Sequence, residues 1–529
     1  MNQAAPAAAE PQFEDIADAI ARHARVMPDA PCITYQDRTL SWREFDRRLN
    51  QVANALIALG IGPSDKVAMV GRNSLRYAEA LFGTLRAGAC AVPLSSMAAA
   101  ESIEMMLDDS DSKVLFLEEE FYDLAGPAKD RLKKIVPGGF VAFDFERPGW
   151  TAFDALVDRA PATPPSRKIQ PEWDFNIIYS SGTTGVPKGI LHNRDLRWRT
   201  VCGPLFTQLG FGPGGVTLAS TPLYSNTTMA ATLPSFFWGS HVVVMRKFDV
   251  VEFLTLAQKY RVTHAMLVPV QYQRLLEHAD FGKYDLSAFK LKLSTSAPLR
   301  AHIKQAALER WPGGLMEIYG LTEGGAACVL MAHEHPDKLH TVGKPAPDAD
   351  MRIIDDQGNE LPQGEIGEII GRGPLMMSGY YKKPDKTEEF KYIAKDGQVF
   401  FRQGDMGRFD QDGFLELLDR KKDMIISGGF NIYANDLELE LLKHPAVADV
   451  AVIGIPSEEW GESPYALIVR RADAADTAAQ IVAWANHRLG KLQRLAGGEF
   501  RGELPRSSIG KILKRELRAP FWEKAGRTI

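Results

Sequence analysis

Short apolar runs alternate with helical stretches along most of this chain, and that alternation admits few architectures. Residues 41–59 read as a helix: Ser41 and Glu44 form a capping box, and Phe45, Leu49, Val52, Leu56 and Leu59 make one apolar stripe. Gly60 and Gly62-Pro63 end it. Val67–Val70 follows as a buried strand, then a helix over about Arg76–Arg86, and a further strand at Val114–Leu117. Strands are expected again at His241–Met245, His264–Pro269, Leu291–Ser294 and Leu315–Tyr319. Helices alternating with short strands predict an α/β domain with a mostly parallel sheet. From Val342 the texture changes to Gly- and Glu-rich short strands, such as 364–371 and 414–418, which suit a small β-rich subdomain. Beyond Arg420, strands at 447–455 and 466–471 mix with helices, and the roughly 110 residues there suffice for a small domain of their own.

At 529 residues the chain is too long for one ordinary core. Its 62 basic and 67 acidic residues leave a net charge of −5, so no broad basic field exists to attract nucleic acid. The four cysteines are scattered with no Cys-x-x-Cys, which argues against a zinc site or a disulfide framework. The start lacks a signal peptide's basic and apolar regions, and no apolar stretch reaches spanning length. A cytoplasmic protein without a membrane span is expected.

Directly after the apolar run 175–178 comes Tyr-Ser-Ser-Gly-Thr-Thr-Gly-Val-Pro-Lys-Gly, residues 179–189. Glycines 182, 185 and 189 let backbone N–H groups converge on an anion. Ser180, Ser181, Thr183 and Thr184 add neutral donors, and Lys188 a positive charge. Such a turn suits polyphosphate, although it does not fit the Walker A spacing. Four more segments stand out: Tyr319-Gly320-Leu321-Thr322-Glu323, Arg402-Gln403-Gly404-Asp405, Asp419-Arg420-Lys421-Lys422-Asp423, and Leu504-Pro505-Arg506 through Gly510-Lys511. Together the five resemble, in the same order, the motifs of the adenylate-forming superfamily of acyl-CoA synthetases, carrier-protein adenylation domains and luciferase-like enzymes. The resemblance runs from about Ile16 to Arg518.

It implies a large multi-subdomain N-terminal domain (1–419) and a small mobile α+β C-terminal domain (420–529), with ATP, Mg²⁺ and coenzyme A as co-substrates and cofactor. By resemblance, Ser180, Ser181, Gly182, Thr183, Thr184 and Lys188 hold the polyphosphate; Tyr319 and Gly320 lie at the adenine. Thr322 binds phosphate and Glu323 holds Mg²⁺. Asp405 accepts from the ribose hydroxyls, a role a two-oxygen carboxylate suits, and Arg420 reaches the same region. Thr295, Ser296 and Ala297 correspond to the segment beneath adenine, with Thr295 where glycine is usual. Lys511 matches the lysine bridging the acid and the α-phosphate, and Lys422 the hinge. Gly428, Gly429 and Phe430 match the loop bordering the pantetheine tunnel. The next stretch departs from the pattern, with Ala434 for proline and Asp436 for glutamate.

For the acid, the resemblance points to Tyr224, Ser225, Met229, Tyr272 and Thr295. No pocket lysine or arginine suggests itself for a second carboxylate, so a monocarboxylic acid is expected. Thr295 narrows the pocket against the longest fatty chains, leaving medium-chain aliphatic or aryl acids. His192, His264 and Trp198 read as core or surface residues. The leading reading is an AMP-forming acid–CoA ligase, and a homodimer is compatible with it. The alternatives are a stand-alone enzyme loading a carrier protein's phosphopantetheine, and a luciferase-like oxygenase or nucleotide-binding scaffold.

Overall fold

A computed structural model describes residues 12–180, 187–507 and 510–524. The capping box at Ser41 and Glu44 forms, and the helix runs over Trp42–Ala58. Phe45 from this helix packs on Phe82 and Phe236, rings that are fully buried, so the apolar stripe seen in the sequence becomes the centre of the largest core. Truncating such a ring costs about 3–5 kcal/mol.

Two sheets carry the large part of the molecule. In the nine-stranded sheet the strands Pro31–Tyr35, His241–Val244, Val216–Ala219, His264–Leu267, Leu291–Ser294 and Gly314–Tyr319 lie side by side in parallel, and antiparallel strands finish both edges. The eight-stranded sheet places Lys66–Val70 between Cys90–Pro93 and Ser112–Leu117, all parallel, and continues through the hairpin of Asp174–Ser180 with Lys188–Asn193 to the edge strand Gly379–Tyr380. The expected strand 264–269 is shorter than read, because Pro269 begins a helix instead.

A third, antiparallel sheet is built on Gly367–Arg372 and the long strand Val399–Phe409, with Leu415–Arg420 along the latter. Residues 364–366, assigned to a strand by their glycine-rich texture, precede it, with Gly364 in a turn at φ +94°. The next strand, Ile425–Ser427, belongs to a fourth sheet, in which Val447–Ser457 and Gly461–Arg470 form a long hairpin. The chain therefore changes sheet across residues 421–424. The tail helix starts at Lys514, two residues later than read from residue 512 onward, and continues to Lys524. Among the described residues no helix is long and apolar enough to cross a membrane.

Candidate active site

Parallel strands end on a common edge, where ligands collect in open α/β sheets. Ser294 and Tyr319 end two neighbouring strands there. The Tyr319 hydroxyl donates to Asp405 Oδ2 at 2.8 Å, and Arg420 Nε lies 2.7 Å from Asp405 Oδ1. Asp405 and Arg420 face each other because their strands pair in that register. Asp405 is 5% exposed. Each of its oxygens already has one partner and keeps a lone pair for another donor. Tyr319 is half-buried beside this carboxylate; desolvation first, then the Asp405 charge, pushes its phenol well up, so it stays a donor.

Lys511 comes to the same place from the far end of the chain. Its loop is closed by Ser507 N–H donating to the Lys511 carbonyl at 2.8 Å, and a β-carbon at Gly510 would fall 3.1 Å from Val270 Cγ1. The absent side chain thus lets the loop lie against the large domain. Burial lowers the Lys511 pKa to about 8; the Arg420 charge lowers it further, Asp405 opposes this, Lys422 lowers it, and Asp423 opposes.

Glu323 and Lys188 meet through a residue that the sequence reading did not single out. The Tyr380 hydroxyl donates to Glu323 Oε1 at 2.9 Å, and Lys188 Nζ lies 5.1 Å from the centre of the same ring. Tyr380 is placed by pairing of Gly379–Tyr380 with the strand that Lys188 opens. The signal was present as the string Ser378-Gly-Tyr-Tyr-Lys-Lys-Pro384, but nothing local ties it to Glu323. Among the described residues Glu323 Oε2 has no partner, and no cluster of three or more His, Cys, Asp or Glu side chains could hold a metal. One free carboxylate oxygen fits Mg²⁺, which binds through one or two carboxylates and substrate phosphates.

His192 has a second-layer place as well as the core position expected. Arg197 Nη2 donates to its Nδ1 at 3.1 Å, which leaves the proton on Nε2 to donate to the Thr322 carbonyl at 2.8 Å. Burial, reinforced by the Arg197 charge, keeps the ring neutral. His264 is a core residue, bonded to Thr263 and the Leu209 carbonyl. Gly324, with φ +79°, follows Glu323 so closely packed that a β-carbon would overlap the Leu375 carbonyl.

Ser180 pairs in register with Lys188 at the mouth of the hairpin. Ser181, Gly182, Thr183 and Thr184 lie outside the described residues. Thr295 turns its hydroxyl to the Ile318 carbonyl at 2.8 Å. Ser296 holds φ +81° and bonds Thr227 Oγ1 at 2.6 Å; a side chain there is strained by about 1 kcal/mol or more. Ala297 lies in the loop after the strand Leu291–Ser294, and Gly320 directly follows the strand Gly314–Tyr319.

The acid-pocket set divides. Ser225 caps the helix Asn226–Trp238, its Oγ accepting from the Thr227 N–H. Tyr224 and Met229 sit in the main core beside it. Tyr272 is fully buried, donates to the Leu293 carbonyl at 2.9 Å and lies tilted 6.0 Å from Trp311. Its ring sits on the helix face that packs into the second core. Lys422 lies in the turn closed by Asp423 N–H on the Arg420 carbonyl. Gly428 and Gly429, both at positive φ, turn a hairpin under Trp460, and Phe430 is 54% exposed.

Known proteins share the sequence pattern and the fold. The AMP-binding enzyme family model matches residues 20–381, and the AMP-binding enzyme C-terminal domain model matches 436–511. A fatty acid–[acyl-carrier-protein] ligase, ScoC, of Streptomyces coeruleorubidus is 30% identical, covering 98% of this chain and 99% of its own. A feruloyl-CoA synthase of an Amycolatopsis species is 32% identical, covering 94% and 98%. The crystal structure of ATP-bound MatB from Rhodopseudomonas palustris superposes with a TM-score of 0.84 at 27% identity, covering 96% and 99%. With both family models matched in order across a shared two-part fold, this chain belongs to the AMP-binding, adenylate-forming enzymes, among the acid–CoA and acyl-adenylate ligases.

Proposed function

We propose that this enzyme is an ATP-dependent acid–CoA ligase acting on a monocarboxylic acid, either medium-chain aliphatic or aryl. In the first half-reaction a carboxylate oxygen attacks the α-phosphorus of ATP, the bond to the β-phosphate oxygen breaks, and pyrophosphate leaves. In the second, the thiol of coenzyme A attacks the acyl carbon, loses its proton, and displaces AMP. The nucleophile is weak and anionic, so the work falls to alignment and charge neutralisation.

Lys511 and Lys188 carry positive charge to opposite sides of the phosphates, and the Ser180–Thr184 donors cradle them. Asp405 and Arg420 hold the ribose, Tyr319 and Gly320 with the Thr295–Ala297 segment border the adenine, and Thr322 binds phosphate. Mg²⁺, held by the free oxygen of Glu323, would supply charge to the phosphate oxygens. Lys422 lies at the hinge between 1–419 and 420–529, and Gly428, Gly429 and Phe430 border the thiol channel once the small domain turns. Tyr224, Ser225, Met229, Tyr272 and Thr295 border the acid.

The observation that carries this reading is the convergence of Lys511 with Asp405 and Arg420, which are about a hundred residues distant in sequence. It is tested by pyrophosphate release across aliphatic and aryl acids, with and without CoA. Acid-dependent release and CoA-dependent thioester are expected; release without any acid requirement would overturn it. A second reading, transfer to a carrier protein's phosphopantetheine, is favoured by the likeness to the Streptomyces carrier-protein ligase. Thioester formed on a holo-carrier but not on free CoA would select it.

A further inference from the structure

We infer that Asp449 is a positioning residue for adenylation, its carboxylate tying the Lys511 loop to the large domain through two arginines. Asp449 sits on the strand Val447–Ser457. Its Oδ2 lies 2.5 Å from Arg506 Nη2, and Arg506 Nη1 donates to the Gly510 carbonyl at 2.7 Å. Its Oδ1 lies 3.5 Å from Arg300 Nη2. Arg300 belongs to the large domain, directly after the Ser294–Leu299 segment that borders the adenine and the acid, at the start of the helix Ala301–Arg310. One carboxylate therefore reads both partners of the closed site.

The two halves of the bridge have separable jobs. Arg506 with Asp449 shapes the loop inside the small domain. Arg300 adds no shape to that domain and only holds it down, beside the Gly510 contact with Val268 and Val270. All three side chains are 20–28% exposed. A partly exposed pair of this kind biases an equilibrium by about fivefold. That is enough to favour docking of Lys511 and weak enough to release when the small domain turns for thioester formation.

This inference rests on the two-step reading above, so the assay begins with wild type: no acid-dependent pyrophosphate release would defeat that reading by itself. Given release, Arg300→Met is expected to lower it about fivefold, while thioester formation from supplied hexanoyl- or benzoyl-adenylate and CoA stays unchanged or rises. Arg300→Lys should restore most of the loss. Amide hydrogen exchange, which needs no substrate, should increase at residues 266–270 and 504–507, with the Val447–Ser457 strand still protected. Equal losses in both half-reactions, or unaltered exchange at those segments, would overturn the role of Arg300 and Asp449.

Discussion

The charge on Lys511 gives a prediction that can be worked through numerically. Its pKa lies at about 8, lowered chiefly by burial and by Arg420, so its ammonium is only partly secured in the free enzyme. Adenylation kcat/KM, which reports the free enzyme, should then have a descending limb near pH 8. From simple titration, the rate near pH 9 falls to about a tenth of its plateau, and near pH 10 to about a hundredth. Bound polyphosphate favours the ammonium, so the limb in kcat should move to higher pH. The charged groups around the lysine are Arg420, Asp405, Lys422 and Asp423. Burial lowers the pKa of Lys422 as well; with Lys511 as the titrating group, Lys422→Met should retain the limb. Lys511→Arg, whose guanidinium does not titrate in this range, should abolish it. Lys511→Ala should cut adenylation by roughly 10²–10³-fold, as loss of a transition-state donor does. Pyrophosphate release from about pH 6.5 to 10 measures all four proteins, with thioester formation from supplied adenylate as the control. A flat wild-type profile, or a limb kept in Lys511→Arg, would refute the assignment.

The same lowered pKa makes a stability statement. The unfolded chain binds the proton more readily between pH 8 and 10.5, so the penalty is fully present below that window and is lost as pH rises through it. Lys511→Met should therefore raise Tm near pH 7 and leave it unaltered near pH 11, as read by calorimetry. Gly324→Ala places a β-carbon inside the Leu375 carbonyl at positive φ; a loss of about 2 kcal/mol or more is expected from urea titration, and wild-type stability would remove the steric argument. Gly428→Ala meets Trp460 in the hairpin of the small domain and should slow thioester formation while sparing pyrophosphate release. Tyr380→Phe frees Glu323 Oε1 and should weaken Mg·ATP binding by calorimetry, about tenfold for a charge-assisted bond; unchanged affinity would show that Tyr380 does not orient Glu323.

Local patterns were legible wherever one segment suffices to specify its own geometry. The Ser41–Glu44 cap, the helix it starts, and the strands Leu291–Ser294 and Gly314–Tyr319 follow from periodicity and capping, which act over a few residues. The order of the motifs fixed the family, because each is a short loop with its own required residues. What stayed hidden were partners chosen across the sheet. Tyr380 reaches Glu323 only because Gly379–Tyr380 pairs with the strand opened by Lys188, and His192 reaches Thr322 only by crossing between sheets. The contact of Tyr272 with Trp311 stayed hidden for the same reason: which face of its helix meets that ring is decided by packing. The sequence by itself determined the Trp42–Ala58 helix, the central strands named above and the chemical types gathered in the motifs, since these depend on neighbours three or four residues away. Only the tertiary structure decided that Lys511 lies beside Asp405 and Arg420 and that Asp449 joins Arg300 to that loop, because such approaches depend on how separately folded units pack and on charges meeting across their boundary.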